Sequence, residues 1–513
     1  MFKALGAKLC AAVAIPAIII GSLSVQAADI SQDTINALQA QINGLQKQLE
    51  ELKAAQAEAA AKVPASTAPS QEQSRMPAIK SEGPGTMTIG RTKVTVGGFV
   101  EAAGIYRSKN ETTDVASNFN TAIPFPITTS GGKNVLNPNA HQSELRGSAR
   151  QSRITALAEA KPNEKTAVSA YVEADFLGAA PSANSIESNS YNPRLRLAYG
   201  TVDLENCGLH FLAGQEWSLL TTNKIGIIPR QENIPLTIDA QYVPGFNWTR
   251  NPQIRIAKDF DDRKLWLALS AESPQVNFGG ITEPSFVNGY NPGVSPLTTT
   301  ANYSSDFAPD VIGKATFDPG WGHYEAFGIA RFFHDYVLTS TTNNTVAGYG
   351  GGAGVILPAI PEKLEVQANF MAGEGIGRYG SVQLPDFAFT PTGGIKPLPE
   401  YTALVGAVGH PSKAWDTYIY GGFEGVERAN YATKTPTSIG YGDLDLLTGQ
   451  EQTSDVWQIT AGVWDRIYQG PFGKVQWGLQ YSLTRRNAFS NSEDIAQHAY
   501  ESTFMTSFRF YPM

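Results

Sequence analysis

Several arginines in this chain sit inside an alternation of apolar and polar residues, and that placement defines their chemistry. Arg153 alternates with Ile154, Ala156 and Ala158; Arg194 and Arg196 alternate with Leu195, Leu197 and Tyr199; Arg255 lies between Ile254 and Ile256. Successive side chains of a strand point to opposite faces, so these guanidinium groups share the face opposite the apolar one. Arg146, Arg150 and Arg250 join them near strand ends. Guanidinium forks match carboxylates, so a water-facing wall carrying them would favour small anions. Acids stand on the same faces at Glu101, Glu159, Glu173, Asp175 and Glu424. One such arginine alone reads as a solvated charge; recurrence over three segments is what points to an electropositive lane.

Signals for catalysis are poor. The six histidines (His141, His210, His323, His334, His410, His498) lack zinc spacing, and no Gly-x-Ser-x-Gly occurs. The glycine run from Gly348 to Gly354 nearly matches a dinucleotide loop. It has no strand-helix-strand context, so it reads instead as a kinked or closely packed strand. The expectation is no enzyme, no cofactor and no bound metal.

The elements that must hold the arginines are strands. Lys474–Arg485 puts Val475, Trp477, Leu479, Tyr481 and Leu483 on one face and polar residues or glycine on the other, and fifteen further segments between Val94 and Tyr511 repeat the pattern, sixteen in all. Seven tight turns alternate with eight longer polar connections. Long loops on one rim and short turns on the other, around an even number of strands, characterise membrane-spanning barrels. After the first 27 residues no run of 18 apolar residues occurs, so a transmembrane helix is not available. Backbone amides inside hydrocarbon must all be paired, so the first strand must meet the last. The expected fold is all-β: a 16-stranded antiparallel transmembrane barrel over 88–513, with an aqueous lumen. The third long loop, Leu220 to Asn251, is rich in proline and in Ile225, Ile227, Ile228 and Val243. A loop this apolar should fold against the barrel wall as a constriction, with Glu232 and Asp239 facing the wall arginines across a transverse field.

Residues 1–27 read as a signal peptide: Lys3 and Lys8, an apolar stretch from Ala11 to Leu23, and the small-residue site Val25-Gln26-Ala27. Its removal takes the net charge from −8 to −10, which argues against a nucleic-acid partner. Only Cys207 then remains, so an internal disulfide is excluded. Residues 28–63 carry Ile35, Leu38, Ile42, Leu45, Leu49 and Leu52 at heptad spacing, a short α-helical coiled coil expected in the periplasm. Residues 64–87 form a Pro/Ser-rich linker.

Several stretches resemble the DcaP-like trimeric outer-membrane porin family: the heptads, Ala149-Arg150-Gln151-Ser152-Arg153-Ile154, Arg194 to Gly200, Gly214-Gln215-Glu216-Trp217-Ser218, Pro309 to Gly313 and Gly373 to Tyr379. The resemblance implies a homotrimer of sixteen-stranded barrels in the outer membrane of a Gram-negative bacterium, a periplasmic coiled coil, and uptake of negatively charged solutes such as dicarboxylates. The heptads alone, with Ile at a and Leu at d, suit two helices, whereas the family implies three. The expected partners are outer-membrane lipid and lipopolysaccharide, two further copies of the chain, small anions, and envelope components met through the coil. A different class of function stays open beside passive diffusion: an adhesin or envelope tether that acts through the coil while the barrel anchors it.

Overall fold

The computed structural model describes residue 47 and residues 79–83, 85–130, 133–178, 192–280, 287–288, 306–337, 340–431, 439–445, 450–490 and 496–512. The expected signal peptide, the coiled coil apart from residue 47, and most of the linker lie outside these residues.

Sixteen strands form one antiparallel sheet closed on itself. They are β1 (Thr92–Arg107), β2 (Glu144–Ser148 and, after a break, Arg153–Asn163), β3 (Thr166–Gly178), β4 (Asn192–Leu204), β5 (Leu209–Trp217), β6 (Arg250–Phe260), β7 (Leu265–Glu272) and β8 (Asp310–Phe317). Then come β9 (His323–Val337), β10 (Thr342–Ile360), β11 (Leu364–Glu374), β12 (Pro399–Ser412), β13 (Trp415–Val426), β14 (Thr453–Gly470), β15 (Gly473–Ala488) and β16 (His498–Tyr511). Each strand pairs with its neighbour in sequence, and β16 pairs with β1 from Val100 opposite Phe510 to Arg107 opposite Thr503.

Closure leaves part of one edge over. Tyr511 ends β16 level with the middle of β1, so Thr92–Thr95 has no partner from β16. A hairpin, Ile79–Gly83 with Thr86–Ile89, fills that edge: Thr86 to Ile89 pair with Thr95 to Thr92, and the Val96 amide donates to the Gly85 carbonyl at 2.8 Å. All of this hairpin but Thr88 and Ile89 falls in the stretch read as linker. An open edge would leave backbone groups unpaired, which explains why the chain adds strands here.

The two faces differ as a membrane barrel requires. Ile254 is 69% exposed and Arg255 beside it 5%. Val100, Ile154, Leu195, Leu267, Val405, Ile419 and Ile459 also point outward, all exposed. Exposed aromatic residues gather at both rims: Phe260, Phe317, Trp321, Trp415 and Phe472 near the short turns, and Tyr106, Phe307, Tyr336 and Tyr500 near the long loops. An apolar band between two aromatic girdles is the outer surface of a barrel that spans a bilayer.

The glycine run lies in β10, as a closely packed strand. A Cβ on Gly352 would stand 2.6 Å from the Phe327 ring, and one on Gly348 2.7 Å from the Phe333 ring. The missing side chains make room for the aromatic residues of β9.

Candidate functional site

The interior of the barrel is narrowed by the loop between β5 and β6, residues 218–249. This is two residues shorter than expected at its far end, because Arg250 and Asn251 already pair in β6. Its apolar residues Ile238, Tyr242, Val243 and Phe246 are buried with Leu404, Tyr418, Tyr420 and Trp464 of the facing wall. Hydrogen bonds fix it there: the Ile238 amide donates to Gln480 Oε1 at 2.6 Å, Trp464 Nε1 to the Leu236 carbonyl at 2.8 Å, and the Gly245 amide to Glu424 Oε1 at 2.6 Å. Close approach is built in, since a Cβ on Gly422 would lie 1.7 Å from the Pro244 carbonyl oxygen. The loop is therefore pressed against β12 to β15, and the cavities beside it are lined by β1 to β7 and the end of β16.

The loop begins with a small hairpin. The Lys224 amide donates to the Gln231 carbonyl and the Asn233 amide to the Thr222 carbonyl, each at 2.7 Å. Lys314 Nζ anchors its base, donating to the Thr221 carbonyl and Asn223 Oδ1 at 2.8 Å. Arg230 closes the tip with φ at +68°, a left-handed conformation that non-glycine residues adopt at a cost.

Across from the loop a cavity of about 440 Å³ is bounded by Arg153, Arg196, Arg230 and Arg509 and by the acids Glu173 and Glu232. Arg196 is buried and heavily engaged, with Nε 2.5 Å from Glu173 Oε1, Nη1 3.0 Å from Asp175 Oδ2 and its guanidinium 5.9 Å from the Trp217 ring centre. Arg194 makes two contacts with Asp175, at 3.0 and 2.7 Å. Arg153 reaches Glu173 at 3.3 Å and packs over Phe99, and Arg509 reaches Glu101 at 2.9 Å. Carboxylates thus orient the wall arginines: four guanidinium groups and two acids line the cavity, with Asp175 and Glu101 bonded to arginines from behind the lining.

The remaining sequence candidates are spread more widely. Arg250 packs on Trp217 and Trp248, 5.0 and 4.9 Å from the ring centres, and does not line the cavity. Arg255 donates to the Trp217 carbonyl at 2.6 Å and to Gln253, and lines a second cavity nearer the short-turn rim. Arg146 is part-exposed at the long-loop rim, bound to Glu144 at 3.0 Å. Arg150 ties the first long loop to β3, through Asp114 at 3.2 Å and the Phe176 and Gly178 carbonyls at 3.1 Å. Of the two loop acids only Glu232 lines the cavity. Asp239 turns away to the first long loop, because its carboxylate accepts the Ser117 and Gln241 amides at 3.1 and 2.9 Å. Glu424 likewise accepts loop amides instead of facing water.

Two features correct the sequence reading. Leu197 and Tyr199 were placed on the lipid face opposite the arginines, yet both are buried in the lumen. Glu173 pairs with Leu197 but Ala174 pairs with Leu195, so Arg196 is the extra residue of a bulge, and the alternation changes phase there. Arg230 and Arg509 were not singled out. Arg509 had a signal, since it alternates with Phe508 and Phe510; Arg230 sits in a loop, where no periodicity marks it. Among the described residues no group of three or more His, Cys, Asp or Glu could hold a metal ion.

No family model matches the sequence, and no curated protein matches it. Among solved structures, the outer-membrane channel DcaP of Acinetobacter baumannii aligns over 82% of this chain and 99% of its own, at 16% identity and a TM-score of 0.56. An anion-selective porin from Comamonas acidovorans aligns over 82% and 99% at 8% identity, with a TM-score of 0.44. OmpF of Salmonella typhi, in complex with daunomycin, aligns over 83% and 100% at 10% identity, with a TM-score of 0.42. The last two scores are too low to carry an argument. The chain is thus similar to DcaP in fold, a closed sixteen-stranded antiparallel barrel, as its sequence motifs led one to expect.

Proposed function

We propose that this protein is an outer-membrane porin that lets small hydrophilic solutes diffuse across, with a preference for anions such as dicarboxylates. The observation that carries the reading is the cavity beside the inward loop, where Arg153, Arg196, Arg230 and Arg509 outnumber Glu173 and Glu232. In a narrow water-filled lane with low-dielectric walls, such an excess raises the local concentration of anions and repels cations. Selectivity follows the charge at the narrowest place, so the acidic balance of the whole chain does not oppose it. On this reading the short turns face the periplasm, lipid and lipopolysaccharide surround the girdled face, and three copies assemble through their outer walls.

The test is a salt-gradient reversal potential on the purified protein in a planar bilayer. The expected sign is that of anion flow, with currents closing in three equal steps. Arg153→Glu combined with Arg196→Glu should move the potential towards cation preference; a potential that ignores both substitutions would refute the arginine lane.

A further inference from the structure

Beneath the inward loop, on the short-turn side, lies a second cavity of about 730 Å³. Its cationic lining includes Lys93, Arg230 and Arg255; its acids include Glu159 and Asp203; Leu212 and Trp266 contribute apolar wall. The acids have neighbours within the same lining: Asp203 Oδ1 lies 2.7 Å from His210 Nδ1, and Glu159 stands opposite Lys93 in the β1–β2 register. Arg255 is held by uncharged groups, the Trp217 carbonyl and Gln253, so its charge is not neutralised by a bonded carboxylate.

The hairpin at the start of the loop separates this cavity from the one above. Ile227, Ile228 and Pro229 face the lower space, Glu232, Ile234 and Pro235 the upper one, and Arg230 lines both. Arg230 is exposed, and its Nη1 donates to the Tyr199 hydroxyl at 3.2 Å while the guanidinium sits 5.6 Å from the Tyr171 ring centre. Tyrosine contacts orient a cation without cancelling it. Its backbone position, with φ at +68°, would suit glycine or asparagine with less strain, so an arginine there argues for a use of its side chain.

We infer that the lower cavity is a second anion-binding basin in series with the first, and that Arg230 is the relay through which a small carboxylate passes from one to the other. This rests on the anion-porin reading and deepens it. A carboxylate in the upper cavity meets Arg153 and Arg196; moving towards the short turns it keeps one oxygen on Arg230 while the other finds Arg255. It is therefore not stripped of all charge partners at the partition.

The test uses the full-length mature protein in planar bilayers, with sodium succinate as the conducting salt. Arg230→Asn keeps the backbone conformation easy and removes the charge with its tyrosine contacts, and Arg230→Lys restores a charge near the same place. Lys224→Gln neutralises an exposed cation of the same hairpin that lines neither cavity. Succinate conductance at about 10 mM should fall roughly threefold or more in Arg230→Asn, recover in part in Arg230→Lys and stay at the wild-type value in Lys224→Gln; at about 1 M the loss should shrink through screening. Crystals soaked in bromide should show the anion in both cavities of the wild type. Bromide confined to the upper cavity, or an Arg230→Asn current equal to that of Lys224→Gln, overturns the relay while an anion-selective reversal potential leaves the porin reading standing. A wild-type channel that prefers sodium overturns both.

Discussion

Arg196 shows how much a single side chain carries in this lumen. It is buried between Glu173, Asp175, Tyr242 and the face of Trp217, so it holds two carboxylates that would otherwise be buried together. Removing one partner of a buried ion network costs about 3–5 kcal/mol, far more than the pair contributes over apolar replacements. Arg196→Ala should therefore lower the melting temperature of the folded barrel in detergent, and Arg196→Lys should not restore it fully, because an ammonium cannot present the same fork to Glu173 and Asp175. Glu232 makes the opposite case. Burial pushes its carboxyl above the usual carboxylate range, against the pull of backbone amides and of Arg255, and its Oε1 is buried without a hydrogen-bond partner. A carboxyl raised in this way costs stability where it is ionised, and the cost is relieved as pH falls through the raised value. The same protonation removes a negative charge from the cavity wall. Anion selectivity should then rise as pH is lowered from neutral through the upper carboxylate range, and Glu232→Gln should abolish that rise; reversal potentials across a pH series decide it. At this scale the sequence was legible wherever alternation held. It failed just past the bulge at Arg196, where the changed phase turns Leu197 and Tyr199 inward, and at Asp239, whose partners come from a loop distant in sequence.

Among the elements, the strands were legible because lipid on one side and water on the other force a strict period of two. All sixteen expected strands are present, with ends shifted by a few residues. The loops were less so, since their folding depends on contacts between segments far apart. That the loop of 218–249 is folded inward follows from its apolar content, but its course does not; that course depends on close approaches at Gly422 of the facing wall and Gly245 of the loop. Gly422 is the tighter of the two. A side chain there meets the Pro244 carbonyl, so Gly422→Val should push the second half of the loop off β13, at a cost of about 1–3 kcal/mol for overpacking. The displaced loop loses its bond from the Gly245 amide to Glu424, and single-channel records should show added flicker with a lower melting temperature. A quiet, wild-type record would mean that the loop tolerates displacement without leaving the wall.

For the whole molecule, the barrel and the N-terminal segment pose separate questions. Residues 77–513 form one compact unit that contains both cavities and every cation assigned to the lane. The heptads of 28–63 were read from spacing alone, and they fall outside the described residues. If the protein is a porin, conduction resides in the barrel, whose closure depends on β1 meeting β16 and on the hairpin of Ile79–Ile89 covering the edge left over. Deleting residues 30–62 removes the coil but leaves that hairpin and part of the linker. The shortened protein should still insert into bilayers and show the wild-type conductance per barrel and the wild-type reversal potential. Its yield of trimers could fall without touching either quantity, because a diffusion lane is a property of one barrel. Were the current per barrel to vanish while circular dichroism still reported an intact β-structure, the conduit would have to extend through the coil. A loss of cell-surface attachment with unchanged current would instead favour a tether anchored by the barrel.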